Sequence, residues 1–406
     1  MSLTVALSDL TLAWRKAKVD LYYSTNPPLF EMAEYEADLI ANLQCLQAKL
    51  NGADEMWVED SGFLGTWTLA PKAITPWEGK QSKDQQSKAK QGATLIFADP
   101  AEEWASMTAD PAKPPTAEFR LMASCSLGLH VLSALWIQEI GHRFDRLLGD
   151  NVYGSRLCRN AKHEFNSMAL GSFKPYLKPY RDWRDGAIKA MRSALEDKKR
   201  VIALTADVTS FYHELNPGFM LDTAFLELAG VQLSDTEEKL HRLFIRALQA
   251  WALNTPLKKG LPVGLPASAV VANAALIQLD QFIQRQVVPL YYGRYVDDIL
   301  LVMENTSNLQ NSEEFWKWII DRDGGKGPLK QRNGSLLFEP WYLKGSRIAF
   351  ENSKNKLFVL SGGPGKALVN AISEQIDQRA SEWRALPALP DNPGTIATNL
   401  FKATNH

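Results

Sequence analysis

Three things are scarce in this sequence: cysteine, net charge and long apolar runs. The 406 residues include three cysteines, Cys45, Cys125 and Cys158, which are scattered and match no metal-ligand spacing. So few thiols exclude a disulfide framework and are typical of a reducing compartment, which predicts a cytoplasmic protein. The formal net charge is −1 at pH 7, so the chain as a whole is not basic and any nucleic-acid-binding surface must be local.

No segment of the chain has the length and apolarity of a membrane span. The apolar runs fall well short of about 18 residues, and the first residues, MSLTVALSDLTLAW, lack a basic start and a cleavage site. We therefore expect neither secretion nor membrane insertion. The hydrophobic content of 45% is enough for a substantial core, divided among about two or three subdomains.

The stretch Leu290–Met303, LYYGRYVDDILLVM, places two adjacent carboxylates, Asp297 and Asp298, between two apolar runs. Val, Ile, Leu and Tyr dominate both runs, which predicts a β-hairpin with the acids at its tip. Like charges this close cannot both ionise cheaply unless a cation neutralises them, and Mg²⁺ prefers hard oxygen ligands. The alternative is a solvated turn that happens to contain two aspartates.

A further carboxylate follows an apolar run well upstream of this hairpin. Val201–Leu204 leads into Asp207 within RVIALTADVTSFYHEL. Phosphoryl transfer with two metal ions needs carboxylates from separate strands to meet around ions about 4 Å apart. Asp207 and Asp297 meet this need if their strands are neighbours in one sheet. Between them, Gly260–Leu276 predicts a Gly/Pro-rich loop and a small-residue helix, whose backbone can approach a ligand closely.

Three segments together resemble the A, B and C motifs of the reverse transcriptase palm: Asp207–Tyr212 (DVTSFY), Leu261–Gly264 (LPVG) with Asn273, and Tyr295–Asp298 (YVDD). The resemblance implies that Asp207 and Asp297 bridge two Mg²⁺ ions, with Asp298 assisting. It also implies that the carbonyl of Val208 completes the second metal site. Such ions lower the pKa of the primer hydroxyl and hold the triphosphate.

The resemblance also implies how the nucleotide is selected. Tyr212 stands five residues beyond Asp207, where reverse transcriptases place an aromatic ring that leaves no room for a ribose 2′-hydroxyl. We expect Phe211 and Tyr212 to point to opposite faces of a strand, so that one is core and the other faces the ligand. The alternative is that Tyr212 is a core aromatic. Val263 and Gly264 would approach the nucleotide, although Val263 stands where many retroviral-type enzymes have Gln.

Two arginines and a lysine complete the implied nucleotide site. Arg120 and Arg156, the latter within the turn Tyr153–Arg156, resemble fingers arginines that grip the triphosphate, where a bidentate guanidinium is favoured. The alternative for each is a surface arginine. Lys356 resembles the motif D lysine near the leaving pyrophosphate, with Lys354 as the alternative.

Residues 143–200 contain fourteen Lys and Arg against seven Asp and Glu, a local positive excess inside a near-neutral chain. Aromatic residues are interleaved with them, which is typical of a surface that follows a nucleic-acid backbone and stacks bases. The segment Lys174–Arg184, KPYLKPYRDWR, resembles bacterial defence-type reverse transcriptases, more loosely than the palm motifs do. We predict nucleic-acid contacts from four of its residues: Lys174, Lys178, Arg181 and Arg184.

The motifs and hydrophobic patterns predict an α+β fold, a right-hand polymerase with palm and fingers and an antiparallel palm sheet. The predicted domains are a helical N-terminal extension (residues 1–95), fingers (96–200), a palm with motifs A to D (201–365), and a short helical thumb remnant with a tail (366–406). In the extension, Asn26-Pro27-Pro28 separates two predicted helices. The polar segment Lys80–Gly92 predicts a mobile surface loop.

The resemblance implies an RNA-directed DNA polymerase that needs Mg²⁺, dNTPs and an RNA template or non-coding RNA, and that makes DNA. The minimal thumb and N-terminal extension resemble abortive-infection and defence-associated bacterial reverse transcriptases, relatives of group II intron and retron enzymes. This predicts RNA-templated or untemplated synthesis in antiphage defence. A second copy of the chain or a separate protein is a further candidate partner. The alternatives are an RNA-synthesising polymerase with a similar palm and a catalytically silent RNA-binding protein, and the intact acids argue against the latter.

Overall fold

The computed structural model describes residues 4–24, 27–75, 100–332, 335–350 and 355–381. The chain forms two compact units: one holds Met1–Trp67 and Ala123–Asp377, the other Thr68–Met122 and the chain from Gln378. The predicted domain boundaries at residues 95, 200 and 365 stay predictions. Within the described ranges, none of the helices is both long enough and apolar enough to span a membrane.

The α-helices, in chain order, are α1 (Leu7–Tyr22), α2 (Leu29–Ala37), α3 (Leu39–Asn51), α4 (Ser61–Leu64), α5 (Pro100–Thr108), α6 (Leu127–Trp136), α7 (His142–Leu147), α8 (Leu177–Glu196), α9 (Phe211–Glu214), α10 (Thr223–Leu228), α11 (Asp235–Leu253), α12 (Pro266–Ala275), α13 (Ile277–Phe282), α14 (Ser312–Ile320) and α15 (Gly362–Ser381). The predicted break around Pro27 and Pro28 is confirmed, since it separates α1 from α2. A second break at Asp38 divides the predicted second helix into α2 and α3. The predicted loop Lys80–Gly92 lies outside the described residues.

The strands are β1 (Thr66–Thr75), β2 (Thr116–Ser124), β3 (Val201–Ala206), β4 (Tyr291–Tyr295), β5 (Asp298–Glu304), β6 (Leu329–Arg332), β7 (Ser335–Phe338), β8 (Ile348–Ala349) and β9 (Lys356–Leu360). They form a two-stranded sheet of β1 and β2, a three-stranded sheet β6-β7-β8 and a four-stranded sheet in the order β4-β5-β3-β9. Every pairing in the four-stranded sheet is antiparallel. The antiparallel sheet predicted for the palm is therefore present, and β9, the candidate motif D strand, is one of its two edge strands.

The central strand β3 is apolar on both faces because helices and neighbouring strands cover it completely. Val201, Ile202 and Leu204 are each at most 1% exposed. On one face, α8 packs apolar side chains that include Ala187, Met191 and Leu195 against Val201, Ala203, Val302 and Leu360 of the sheet. The continuous apolar run that predicted a strand thus reflects burial from two sides.

Two glycines allow α8 to lie close to β4. A Cβ on Gly186 would come within 2.5 Å of the Tyr291 ring, and a Cβ on Gly293 would come within 2.7 Å of the Trp183 side chain. The Tyr291 hydroxyl in turn donates a hydrogen bond to the carbonyl oxygen of Trp183. The helix that carries the predicted nucleic-acid-binding residues is therefore locked onto the edge strand that leads to the acidic hairpin.

The N-terminal helix α1 binds the loop Asn166–Ser172, which lies within the basic stretch of residues 143–200. The Lys16 ammonium is fully buried and donates to the carbonyl oxygens of Asn166, Ala169 and Gly171 at 2.8, 2.6 and 3.0 Å. Burial lowers the pKa of Lys16. Four residues further along α1, Asp20 accepts a hydrogen bond from the Ser172 N–H. The helical extension is thus joined to the loop Asn166–Ser172 by buried polar contacts.

Candidate active site

The hairpin of β4 and β5 has a two-residue loop, Val296 and Asp297. Tyr295 pairs with Asp298 across the loop, and Val296 has a positive φ of 57°. A β-branched residue is strained in this conformation, and positive φ at the first loop residue alone is the pattern of a type II′ turn. Asp297 is half-buried and Asp298 is exposed. The predicted hairpin with acids at its tip is confirmed.

Asp207 lies at the same edge of the sheet as this hairpin tip. It directly follows β3, whose last residue, Ala206, pairs with Ile299 of β5. One step further along this register, Asp207 comes level with Asp298, the neighbour of Asp297. The backbone positions of acids from two adjacent strands therefore lie side by side at one end of the sheet, and two-metal phosphoryl transfer needs carboxylates contributed by separate strands in this way.

The backbone after Asp207 is held by the small three-stranded sheet. Val208 forms an isolated antiparallel bridge with Phe350, and the Thr209 N–H donates to the carbonyl oxygen of Ala349 over 2.8 Å. Val208 is buried. These contacts anchor the peptide that carries the predicted metal-binding carbonyl of Val208, and the metal contact itself stays a prediction.

The side chains at this edge fit Mg²⁺ by their chemistry. Asp207, Asp297 and Asp298 offer hard carboxylate oxygens, and Mg²⁺ usually binds through one or two protein carboxylates together with water and substrate phosphates. In the described part of the chain, no group of three or more His, Cys, Asp or Glu side chains forms a ready-made metal cluster. Metal binding by these three acids stays a prediction.

Tyr212 lies near the acids, but on a helix rather than on the strand that we predicted. The left-handed Ser210, with φ of 49°, turns the chain, and α9 begins at the next residue. Phe211 is 2% exposed, whereas Tyr212 is half-buried. Burial and the negative charge of Asp297 raise the pKa of the Tyr212 phenol. A helical turn, not strand alternation, thus separates the buried Phe211 from the half-buried Tyr212, and the nucleotide contact of Tyr212 stays a prediction.

The glycine-rich loop before α12 packs its backbone directly against α9. Gly260 has a positive φ of 101°, and a Cβ there would lie 2.9 Å from the Cα atom of His213. The next residue, Leu261, donates its N–H to the carbonyl oxygen of Tyr212 over 2.7 Å. Only a residue without a side chain allows this approach, so the loop supports the backbone of Tyr212.

Val263 and Gly264 lie further along the same loop. Val263 is half-buried and Gly264 is exposed. The N–H of Ala123 donates to the carbonyl oxygen of Val263 over 2.9 Å, and Gly264 has a positive φ of 106° that favours glycine. The loop is well anchored, and the nucleotide contacts of these two residues stay predictions.

The turn Tyr153–Arg156 lies against the acidic hairpin. The Tyr153 N–H donates to the carbonyl oxygen of Arg294 over 2.8 Å. A Cβ on Gly154 would come within 2.6 Å of the Val296 nitrogen, so only glycine fits beside the acidic loop. The sequence singled out this turn, but its contact with the hairpin was not predicted.

Arg156 uses its guanidinium inside the protein. Its Nε donates to the Asp145 carboxylate over 2.9 Å. The other nitrogens donate to four backbone carbonyl oxygens that follow or end α7: those of Asp145, Leu148, Gly149 and Val152. This geometry favours a structural role for Arg156 over the predicted contact with a triphosphate.

Arg120 and Lys356 lie in different parts of the chain. Arg120 is exposed on β2 and belongs to the second compact unit. Lys356 is exposed at the start of β9, where it pairs with Thr205, two residues before Asp207. Lys356 thus lies at the acidic end of the four-stranded sheet. Lys354 lies outside the described residues, and the nucleotide contacts of both Arg120 and Lys356 stay predictions.

The four predicted nucleic-acid-binding residues lie on or just before the first half of α8. Lys174, Lys178 and Arg181 are exposed, and Arg184 is partly buried. Lys178 forms an ion pair with Asp182, and Arg184 forms one with Asp185 over 2.9 Å. Arg181 has no ion-pair partner among the described residues. Lys174 likewise has none in the described part of the chain, so Lys174 and Arg181 differ from the two ion-paired residues, and the nucleic-acid contacts of all four stay predictions.

An aromatic cluster connects this helix to the acidic hairpin. The Tyr295 ring centroid lies 5.5 Å from that of Tyr180 and 5.7 Å from that of Trp183. Trp183 is buried, whereas Tyr180 is 42% exposed. Burial and the neighbouring tyrosines Tyr180 and Tyr176 raise the pKa of Tyr295 to about 12. Aromatic faces thus extend from the hairpin to the surface beside Lys178 and Arg181.

A buried polar network lies beneath the hairpin and was missed by the sequence analysis. Arg294 is 0% exposed and Asp280 is 5% exposed, and the two form an ion pair. Asn273 and Tyr292 complete the network. A usable signal was present, because Asp280 and Arg294 each stand within an apolar stretch, and buried charged residues are almost always paired.

Comparison with known families adds one match to this geometry. The family profile described as reverse transcriptase (RNA-dependent DNA polymerase) matches residues 111–320, about half of the chain. The matched segment contains the acidic hairpin, Asp207 and the loop before α12. No curated protein matches the chain.

Proposed function

The chain belongs to the reverse transcriptase (RNA-dependent DNA polymerase) family, and we propose that it polymerises dNTPs at the sheet edge formed by Asp207, Asp297 and Asp298. The observation that carries this proposal is the register of β3 and β5, which brings Asp207 level with Asp298. Family members use divalent metal ions, usually Mg²⁺. Such ions, when bound, lower the pKa of the primer hydroxyl and neutralise charge on the triphosphate.

The residues around the acids have separate tasks in this proposal. Asp207 and Asp297 would hold the ions, with Asp298 assisting and the Val208 carbonyl as a further ligand, and bound ions would help to align the primer end with the triphosphate. Tyr212 excludes a ribose 2′-hydroxyl by its volume. Lys356, at the same end of the sheet, places a positive charge near the leaving pyrophosphate.

The first half of α8 is the proposed path of the nucleic acid. Its exposed cations, with Arg181 foremost, would contact phosphates, and the exposed ring of Tyr180 would stack on a base. The proposed template is an RNA or a non-coding RNA, and the proposed product is DNA. The alternative of RNA synthesis is disfavoured by the bulk of Tyr212 beside Asp297.

We also propose a role in bacterial antiphage defence, with synthesis on a short RNA or without a template. It is supported by the looser resemblance of Lys174–Arg184 to defence-type enzymes and by the N-terminal helices. The test is to purify the protein with its bound nucleic acid, add each dNTP, and sequence both the RNA and the product. A long copy of cellular messenger RNA would contradict the defence role.

The polymerase proposal is tested by single carboxamide substitutions at the acids. Asp207→Asn and Asp297→Asn each remove a charged ligand from a site whose chemistry is mostly electrostatic, so incorporation of labelled dNTP should fall by several orders of magnitude. Asp222→Asn is the matched control, because Asp222 caps α10 and Asn caps helices equally well. All three variants should unfold like the wild type. Wild-type incorporation by the double variant Asp297→Ala, Asp298→Ala would overturn the proposal.

A further inference from the structure

The guanidinium of Arg294 contacts the acidic loop, Val296 and Asp297, from the protein interior. Arg294 is on β4 and is completely buried. Its Nη1 donates to the carbonyl oxygen of Val296 over 2.7 Å and to Oδ1 of Asn273 over 2.8 Å. Its Nε and Nη2 donate to the two carboxylate oxygens of Asp280 at 2.8 and 2.6 Å. One side chain therefore joins the hairpin loop to α12 and α13.

The contact with Val296 bears directly on Asp297. The Val296 carbonyl belongs to the peptide unit that includes the Asp297 nitrogen, and a peptide unit is planar. A charged donor that holds this carbonyl therefore also holds the backbone from which the Asp297 side chain starts. The hold is needed because Val296 is β-branched and has a positive φ of 57°, a conformation that the surrounding structure must enforce.

Arg294 can enforce this conformation because it is itself rigidly held. Burial alone would lower the pKa of Arg294, but the Asp280 carboxylate raises it on balance, so the guanidinium stays charged. Asp280 also accepts a hydrogen bond from the Tyr292 hydroxyl. A buried ion pair adds little net stability over a well-packed apolar pair. The network is thus better explained by the geometry that it imposes than by the stability that it adds.

Asn273 extends the network to the opposite side of the loop. While its Oδ1 accepts from Arg294, its Nδ2 donates to the carbonyl oxygen of Gly154 over 3.1 Å. Gly154 in turn lies against the Val296 nitrogen, with no space for a Cβ. The acidic loop is therefore held at two points. The Arg294 guanidinium bonds the Val296 carbonyl oxygen, and the Gly154 backbone packs against the Val296 nitrogen. Asn273 links Arg294 to Gly154.

We propose that Arg294 is a positioning residue that orients the Asp297 carboxylate for metal binding through its hydrogen bond to the Val296 carbonyl. The inference deepens the proposed polymerase function and rests on it for its catalytic consequence. Metal binding to the free protein tests it separately. Loss of the bond should weaken metal binding to the free protein and slow the chemical step, while dNTP binding at saturating metal stays nearly unchanged.

The test uses Arg294→Lys beside the matched control Tyr292→Phe. Lysine keeps a positive charge for Asp280, but one ammonium cannot also hold Val296 and Asn273. Tyr292→Phe removes a hydrogen bond to the same Asp280 carboxylate and leaves the Val296 contact in place. Mn²⁺ binding to each free protein is measured by electron paramagnetic resonance, with Asp297→Asn identifying the site. The metal dependence, kcat and KM for dNTP follow, together with thermal unfolding.

The expected result is that Arg294→Lys binds Mn²⁺ more weakly and, at a metal concentration that saturates each protein, loses about 10- to 100-fold in kcat with KM for dNTP nearly unchanged. Tyr292→Phe should behave like the wild type in both respects. If Arg294→Lys does not fold, the double variant Arg294→Met, Asp280→Leu replaces it, because no unpaired buried charge then remains.

Two results would overturn the positioning role. One is wild-type Mn²⁺ affinity and kcat in the Arg294 variants. The other is an equal loss in Tyr292→Phe, which would show that any damage to the network acts through stability alone. A wild-type protein that binds Mn²⁺ through Asp297 but incorporates no nucleotide would instead overturn the proposed function and leave the positioning of Asp297 standing.

Discussion

The backbone N–H of Leu261 donates a hydrogen bond to the carbonyl oxygen of Tyr212 over 2.7 Å, joining the loop before α12 to the short helix α9. The contact depends on Gly260, because a Cβ there would collide with the backbone of His213. The backbone that carries the Tyr212 ring is therefore fixed from outside its own helix. A rigidly held ring can exclude a substituent that a mobile ring would accommodate.

Tyr212→Ala should admit rNTPs, because the ring that would clash with a 2′-hydroxyl is removed. We expect the preference for dNTP over rNTP to fall by about 1–3 kcal/mol, as in other discriminations between small groups. The measurement is competitive incorporation of a dNTP against the matching rNTP.

Tyr212→Phe is the control for this substitution, since it keeps the ring and removes only the hydroxyl. It should retain the dNTP preference of the wild type. Equal preference in the wild type and in Tyr212→Ala would remove Tyr212 from the nucleotide site, and an rNTP preference in the wild type would favour the RNA-synthesising alternative.

Gly154→Ala should disturb the acidic loop through steric pressure alone. The new Cβ would come within 2.6 Å of the Val296 nitrogen, so the hairpin or the Tyr153–Arg156 turn must shift, at a cost of about 1–3 kcal/mol. Nucleotide incorporation and the free energy of unfolding in urea should both decrease. Gly363→Ala on α15 is the control, because its Cβ meets nothing within 4 Å. A Gly154→Ala protein with wild-type activity and stability would show that the loop position does not depend on this contact.

Arg181→Glu should weaken nucleic-acid binding more than Arg184→Glu does. Arg184 already pairs with Asp185 and is partly buried, whereas Arg181 is exposed. Loss of one phosphate contact should reduce the slope of log affinity against log salt concentration by about 0.7–0.9. Affinity for a single-stranded RNA, measured from low to moderate salt, decides this. Equal slopes for Arg181→Glu and the wild type would exclude Arg181 from the phosphate path.

Lys16→Met should destabilise the protein. Lys16 lies on α1, far in sequence from Asp207 and Asp297. The substitution leaves three part-buried carbonyl oxygens without their donor, which costs about 1–3 kcal/mol. Lys18→Met on the same helix is the control, because the Lys18–Glu36 pair is exposed and should contribute less than about 1 kcal/mol. Urea unfolding gives both values. Faster amide exchange in residues 166–172 of Lys16→Met would locate the damage, and equal stability of the two variants would contradict the prediction.

The acidic hairpin and the strand before Asp207 could be predicted from the sequence by itself. Both depend on short-range features: apolar runs of strand length, and carboxylates placed where those runs end. The motif resemblance added the order of the segments, and the family match agrees with it. The charge counts also predict a local basic surface within residues 143–200, which stays a prediction.

Contacts between distant segments were decided only by the tertiary structure. The register that brings Asp207 level with Asp298 depends on how β3 and β5 pair, and neither strand specifies its partner. The backbone at Ser210 placed Tyr212 on a helix, against the expected alternation of a strand. For Arg156, Arg294 and Lys16, the residue type indicated a charge, but the partners come from elsewhere in the chain. A buried charge acquires its role from the groups that fold around it, and these become neighbours only in the folded chain.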